Sequence, residues 1–397
     1  MTKPLLGRIA LCLSLFAFSM AAHAADLKEW TVLVFLNGHN NLDSFGKMNI
    51  DGMSQVGSTD QMNVVVQWAS EANGNTKRIY VTKGGFDVIE DMGAPADMGD
   101  YKTLVEFVKW AQAKYPAKKY LIDIWNHGNG WHTESINAGF HINDISYDDL
   151  SGHHITTEEL GLALGQIAQL TGKKVELYAS DACLMAMGEV ASEMVNSVKF
   201  FAGSQETEPG EGWPYQTVLA RIAAKPTMAG DEAAVALSQE YTKAYSGGVY
   251  GNKEVTYSAW DLSKMDRFYA AVRGLASELK SLDANSLRAA AAAIDQSQAF
   301  ALYDYKDLAD YMSLLQPANV RVSDHALSEV TASMKDLLLS VDVTPGYSRA
   351  HGISIWLPSG QSDWSTYGDR YMNLNFNKQT GWGDFLKAVI PPSASSK

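Results

Sequence analysis

The chain carries one cysteine and one histidine whose positions could support nucleophilic catalysis. Cys183 lies in SDACLM (180–185), and His127 lies in NHGNGW (126–131). A thiol becomes a thiolate when a base or a positive charge is near, and histidine is the usual base. These residue types predict a thiol nucleophile with an imidazole base, provided that the fold brings the two side chains together.

The chain begins with a leader of recognisable pattern. Lys3 and Arg8 are followed by an apolar run (9–20) and by AHA (22–24), a small-x-small cleavage site. The run is too short to span a bilayer. We therefore predict that residues 1–24 are a signal peptide rather than a buried N-terminal helix. The protein is then expected to be exported, to the periplasm or to the medium.

Cleavage of this leader would leave Cys183 as the only cysteine, because Cys12 would leave with the signal peptide. A single cysteine cannot form an internal disulfide. It pairs with another chain, reacts as a thiol, or packs as a small buried hydrophobe. An exported binding or scaffold module with a buried, non-catalytic cysteine is therefore the alternative to an enzyme.

The composition excludes some classes of partner. Of the 397 residues, 46% are hydrophobic and 19% are charged, as expected of a globular protein. Without the leader the chain has 373 residues, of which 30 are basic and 45 acidic, giving a net charge of −15. This acidity argues against nucleic-acid binding, which needs basic patches, and favours cationic substrates. No segment after residue 24 is a candidate membrane span.

Strand and helix patterns alternate in the first half of the chain. Helical spacing over 101–115 and a capping box at Thr156 and Glu159 indicate crossover helices. Residues 25–260 are therefore predicted to form an α/β domain, with a mainly parallel sheet and helices on both faces. Six runs are typical of its strands: WTVLVFL (30–36), NVVVQWA (63–69), RIYVTKGG (78–85), YLIDIW (120–125), VELYAS (175–180) and FFAGS (200–204).

The chain beyond residue 260 has a different pattern. Long helical stretches dominate it, one of them SDHALSEVTASMKDLLLSV (323–341), and one strand-like run, GISIWLP (352–358), interrupts them. We therefore predict that residues 261–397 form a mostly helical C-terminal domain packed on the sheet.

The candidate nucleophile and base each follow a predicted strand. YLIDIW runs directly into the segment of His127, and VELYAS runs directly into the segment of Cys183. The carboxyl ends of neighbouring parallel strands share one sheet edge, where active sites lie. Cys183 is also expected to begin a helix, whose dipole would favour the thiolate. The backbone N–H groups of Gly128 and Cys183 are predicted to bind the oxyanion, against the alternative that Gly128 serves only a positive φ.

Several blocks of the sequence resemble the clostripain family of cysteine peptidases, which share the caspase–gingipain fold. The resemblance implies an endopeptidase that cuts after Arg or Lys, with His127 and Cys183 as a catalytic dyad. We expect a monomer. The blocks span most of the chain: TVLVFLNGHNNLD, YPAKKYLIDIWNHGNGW, DACLMAM, GSQETEPGEGWPY, YSAWDLSKMD and HGISIWLP.

The resemblance also implies an acidic pocket for the basic side chain of the substrate. Asp181 is the first candidate for this pocket, and Glu211 in PGEGW is a second. Asp181 has another interpretation, because an aspartate commonly accepts backbone N–H bonds at the start of a helix, here the helix predicted at Cys183.

The resemblance also makes a Ca²⁺ ion, with a structural or an activating role, a candidate cofactor. His39 and Gln205 occupy positions where the family more often has an acid, which would weaken binding of calcium or of a basic side chain. We predict no catalytic metal, because H-E-x-x-H is absent, and no serine nucleophile, because G-x-S-x-G is absent. Processing into two chains is not expected, because the basic site Lys173-Lys174 directly precedes a core strand.

Overall fold

A computed structural model describes residues 27–132, 134–136, 140–142 and 144–390. The predicted signal peptide and Cys12 lie outside these residues. Seventeen strands are present in the described part. In chain order they are β1 (Lys28–Gly38), β2 (Met62–Ser70), β3 (Asn75–Thr82), β4 (Gly85–Asp91), β5 (Ala117–Trp125), β6 (Glu134–Ile136), β7 (Phe140–Ile142), β8 (Ile145–Asp148), β9 (His153–Ile155), β10 (Val175–Asp181), β11 (Val198–Gly203), β12 (Ser246–Gly248), β13 (Gly251–Asn252), β14 (Thr256–Asp261), β15 (Tyr305–Asp307), β16 (Leu338–Val343) and β17 (Ser354–Trp356).

Nine of these strands form the main sheet, in the order β16-β14-β11-β10-β5-β1-β2-β3-β4. The five central strands, from β11 to β2, pair in parallel, and the two outer strands at each end pair antiparallel. The predicted α/β fold with a mainly parallel sheet is confirmed. The remaining strands form four two-stranded sheets, β12-β13, β15-β17, β6-β7 and β8-β9.

Both faces of the main sheet are covered by α-helices, as predicted. Alternate residues of β1 point to opposite faces, so Val32, Val34 and Leu36 enter one apolar cluster, whereas Leu33 and Phe35 enter the other. The helices are α1 (Asp43–Ser54), α2 (Tyr101–Lys114), α3 (Thr157–Thr171), α4 (Gly188–Met194), α5 (Tyr215–Ala224), α6 (Gly230–Tyr245), α7 (Met265–Leu279), α8 (Ala284–Gln296), α9 (Leu308–Leu315), α10 (Asp324–Leu337), α11 (Gln361–Tyr371), α12 (Asn375–Thr380) and α13 (Trp382–Val389). Helices α1, α5 and α6 pack on the first face.

The chain after residue 260 is mostly helical, and it also completes the main sheet. The prediction of one helical stretch over 323–341 is wrong at its end, because α10 stops at Leu337 and β16 begins at the next residue. Strand β16 pairs antiparallel with β14 at the sheet edge. Its residues are mostly only half-buried, which explains the weak apolar signal. Leu338 and Leu339 therefore resemble a continuing helix in the sequence.

The C-terminal helices share an apolar cluster with α2, α3 and α4 on the second face of the sheet. An ion pair reinforces this packing, since the Arg370 guanidinium lies 2.5 Å from both Asp144 and Glu158. None of the helices in the described residues combines the length and the apolar character that crossing a membrane requires.

Candidate active site

Two loops leave the carboxyl edge of the sheet side by side. The histidine loop (126–132) follows β5, and the cysteine loop (182–187) follows β10, the parallel neighbour of β5. Trp125 at the end of β5 is in register with Asp181 at the end of β10. The amide of Asn126 donates to the Asp181 carbonyl over 3.2 Å, which continues the contact beyond the strands.

Gly128 lies close against the cysteine loop. A Cβ atom at this position would lie 2.4 Å from the Cys183 carbonyl oxygen and 3.1 Å from its amide nitrogen. Glycine is therefore required for close approach of two backbones, and positive φ is not the reason. The bridge between Gly128 and Ile145 uses the amide of Asn129, bonded to the Asp144 carbonyl, rather than the amide of Gly128. The Gly128 N–H instead lies near the thiol, whose pKa it lowers.

The Cys183 thiol is held by the main chain of the segment 205–212. The amide of Glu208 donates to Sγ over 3.2 Å. Burial raises the pKa of the thiol to about 11, against the lowering effect of the N–H groups of Glu208 and Gly128. The prediction that Cys183 begins a helix is wrong, because α4 starts five residues later. Leu184, with φ of 63°, turns the chain away from helical geometry instead.

His127 is half-buried, and burial lowers the pKa of its imidazole below the ordinary value. Its Nε2 atom lies 2.7 Å from Oδ1 of Asn41. Asn41 comes from the loop that follows β1, the strand next to β5 on the side away from β10. The imidazole thus contacts a second loop of the same sheet edge.

Asp181 belongs to a group of buried acids behind the thiol. It is 5% exposed, and its Oδ2 accepts hydrogen bonds from the Trp213 amide (3.1 Å) and the Tyr215 hydroxyl (2.9 Å). The interpretation of Asp181 as a helix cap is wrong, because its backbone donor belongs to the 213–215 segment. Asp123, fully buried on β5, lies 2.6 Å from the same Tyr215 hydroxyl, so the two carboxyls share its single hydrogen. Burial raises the pKa of both carboxyls, that of Asp181 to about 7.

Glu208 is a candidate pocket residue that sequence analysis missed. Both of its carboxylate oxygens are out of contact with solvent, and no donor from the described residues bonds to them. Its carboxyl group contacts that of Asp181, and burial together with the Asp181 charge holds the pKa of Glu208 well above its usual range. Two acids thus face each other beside the thiol, without a cation from the described part of the chain.

Glu211, the second predicted pocket residue, is placed differently. Both oxygens of its carboxylate lie 2.6 Å from the Lys253 ammonium, in a partly exposed ion pair. Its charge is therefore already balanced. Only its main chain contributes inward, where the carbonyl accepts from Asn49 over 2.9 Å. The structure groups Asp181 with Glu208 rather than with Glu211.

His39 and Gln205 are buried and engaged in polar contacts of their own. His39 Nδ1 lies 2.8 Å from Asp148, and the Gln205 side chain donates to Asp307 and accepts from the Gly352 amide. Calcium prefers several oxygen ligands, and the imidazole and the occupied amide do not supply them. The described residues also contain no group of three His, Cys, Asp or Glu side chains suited to a metal. These two positions do not fit a calcium site.

Comparison with known proteins identifies the family of this chain. A family model described as the clostripain family matches residues 34–388. Clostripain of Hathewaya histolytica is 26% identical over an alignment of 320 residues, and the match covers 68% of this chain and 59% of that relative. The chain thus matches less than two thirds of the length of the curated relative.

Solved structures show the same fold. An inactive zymogen C11 protease from Parabacteroides distasonis superposes with a TM-score of 0.70 at 19% identity, over 89% of this chain and 98% of that chain. A secreted C11 cysteine protease from Bacteroides thetaiotaomicron, in complex with an irreversible peptide inhibitor, gives 0.69 at 20% identity, over 89% and 99%. The predicted family is therefore confirmed, and this chain belongs to the clostripain family of cysteine peptidases.

Proposed function

We propose that the protein is an exported cysteine endopeptidase that cleaves peptide bonds after Arg or Lys, with Cys183 as nucleophile and His127 as base. The observation that supports the specificity is the facing pair of acids, Asp181 and Glu208, buried beside the thiol with no cation from the described residues. Burial favours the protonated form of these carboxyls, and a cation beside them favours the ionised form, so this site is suited to the guanidinium or ammonium of a substrate.

The geometry supports an acyl-transfer sequence in which each proton has a place. The Cys183 thiol gives its proton to His127 as sulfur bonds to the scissile carbonyl carbon, and the carbonyl oxygen takes the electron pair. The amide of Gly128, beside the thiol, and that of Cys183 are the oxyanion donors. The carbon–nitrogen bond then breaks, and His127 protonates the leaving amine. Water, deprotonated by His127, hydrolyses the thioester and restores the thiol.

Peptide substrates that differ only in charge at the cleavage site test the specificity. Arginine and citrulline have nearly the same shape, but only arginine carries a cation. We expect kcat/KM for the arginine peptide to exceed that for the citrulline peptide by about 100-fold, the effect of losing a buried charge pair. Equal cleavage of the two peptides would contradict the pocket. Cys183→Ala should abolish both activities while leaving the thermal unfolding midpoint within a few degrees.

An exported binding module with an inert thiol is the competing function, and the burial of Cys183, which raises the pKa of its thiol, favours it. Alkylation distinguishes the two functions. A peptidyl chloromethyl ketone ending in arginine should label Cys183 at neutral pH, and its rate should fall on His127→Ala. Labelling no faster than that of denatured protein, together with no cleavage of any basic peptide, would establish the module instead.

Export rests on the N-terminal pattern of residues 1–24, and one structural relative is described as secreted. Expression of the full chain in a Gram-negative host, followed by fractionation, tests this proposal. We expect a product in the periplasm or the medium that begins after Ala24. A product that keeps Met1 and stays in the cytosol would contradict export. The expected monomer can be checked on the same sample by light scattering.

A further inference from the structure

We infer that Asn41 is a positioning residue that fixes the tautomer and orientation of His127, so that Nδ1 is the nitrogen that serves the thiol. The inference rests on the proposed role of His127 as base. It starts from the 2.7 Å contact between Asn41 Oδ1 and His127 Nε2. A carbonyl oxygen only accepts hydrogen bonds, so Nε2 is the nitrogen that carries the proton. The lone pair of the neutral ring is then on Nδ1.

This contact determines which nitrogen carries the proton because the resting ring is neutral. Burial lowers the pKa of His127, so the resting imidazole is neutral and has a single proton. Burial is the cause of this shift, and two ion pairs on the packed segments are formed with other groups, because His39 pairs with Asp148 and Asp144 pairs with Arg370. A neutral amide is thus the group that decides where the proton lies. When His127 takes the thiol proton, the Asn41 oxygen also stabilises the N–H of the resulting imidazolium.

Asn41 itself is held in place by its neighbours. Asn40 accepts from the Leu42 amide and donates to the Tyr147 carbonyl, both over 3.0 Å. The Asn37 carbonyl accepts from the Asn126 side chain over 2.7 Å, which ties this loop to the histidine loop. The position of the Asn41 amide relative to the imidazole is therefore fixed by contacts on both sides.

The exposure of Asn41 separates a functional role from a structural one. Its neighbour Asn40 is buried, whereas Asn41 is exposed, and its side chain bonds to the imidazole. An exposed side chain of this kind contributes little to folding stability. The Asn41 side chain can therefore be changed without disturbing the fold that carries His127.

Three variants test the inference: Asn41→Leu removes the acceptor at similar size, Asn41→Asp keeps only acceptors, and Asn73→Leu is the control on another exposed loop. For Asn41→Leu we expect kcat on an arginine peptide to fall about 10- to 100-fold with KM unchanged. Asn41→Asp should retain most of the kcat. Its carboxylate should raise the pKa of His127, which an NMR titration of the ring in the Cys183→Ala protein measures separately from the Asp181 carboxyl. Asn73→Leu should match the parent.

Two outcomes would overturn the inference. One is parental kcat for Asn41→Leu. The other is an Asn41→Asp variant as impaired as Asn41→Leu, which would mean that the amide donates to the ring. Nitrogen NMR of the His127 ring in the Cys183→Ala protein reports the tautomer without activity, and it should show a proton on Nε2. His127→Ala at parental activity would refute the proposed dyad, whereas normal loss there with unaffected Asn41 variants would refute only the positioning role.

Discussion

The histidine loop and the cysteine loop leave the same sheet edge, but His127 and Cys183 lie in different environments. The imidazole is half-buried, bonds to an exposed amide, and has a lowered pKa. The thiol bonds to a main-chain amide, lies near buried acids, and has a pKa raised to about 11. The proposed base is thus ready to accept a proton, whereas the proposed nucleophile resists losing one. Substrate binding must therefore act mainly on the cysteine side.

The largest expected effect comes from removing the imidazole of His127. His127→Ala leaves the thiol without a proton acceptor and the leaving amine without a donor, so we expect kcat to fall about 10²- to 10⁴-fold. Steady-state kinetics on an arginine peptide measure this loss, and far-ultraviolet circular dichroism controls for folding. A loss below threefold would remove the histidine loop from the chemistry.

The proposed acidic pocket is tested by Asp181→Asn, which keeps an acceptor for the Trp213 amide but loses the charge. We expect a loss of about 2 to 4 kcal/mol in kcat/KM for arginine and lysine peptides, because a desolvated ion pair is lost. Glu208→Gln should act in the same direction. In the parent, the Asp181 carboxyl has a pKa of about 7 and binds a cation only when ionised, so the acidic limb should rise through this pH. Parental cleavage after arginine in Asp181→Asn would rule out the pocket role.

The contact between the loops is tested by Gly128→Ala. The added Cβ would lie 2.4 Å from the Cys183 carbonyl, so the backbones must separate. We expect turnover to fall more than tenfold and the free energy of unfolding to fall by about 1 to 3 kcal/mol, as for overpacking. Gly274→Ala, on an exposed face of α7 with open space, should leave activity unchanged. Normal catalytic constants in Gly128→Ala would argue against the amide as an oxyanion donor.

The smallest effect is expected from Glu211→Gln. This change breaks the ion pair with Lys253, and exposed pairs contribute about 0 to 1 kcal/mol. Preference for arginine over citrulline should stay at the parental value, which makes this variant the matched control for Asp181→Asn. A loss of preference as large as that of Asp181→Asn would return Glu211 to the pocket.

The sequence predicts the parallel centre of the sheet because its strands are continuous apolar runs that both faces bury. It predicts the edges poorly. Strands β4 and β16 are only partly buried, so their composition resembles that of turns or helices. The placement of His127 and Cys183 after neighbouring strands follows from the same central pattern.

The candidate pocket acids are harder to predict than the central strands, for a geometric reason. The segment GSQETEPGEGW contains Glu206, Glu208 and Glu211, which are chemically alike. The direction of each side chain depends on irregular backbone, for which no periodicity exists. The absence of a helix at Cys183 has a similar cause. Leu184 adopts positive φ, a conformation that leucine rarely takes and that the amino-acid composition does not reveal.

The late arrival of β16 has a consequence for how the chain folds. Residues 262–337 separate it from β14, so a growing chain exposes the outer edge of β14 until residue 338 and beyond have emerged. Unpaired strand edges are templates for intermolecular pairing, and contacts distant in sequence form slowly. A chain that ends at Leu337 should therefore aggregate, which sedimentation after synthesis would show. Newly made protein therefore depends on residues 338–343 to cover the edge of β14 and so prevent self-association.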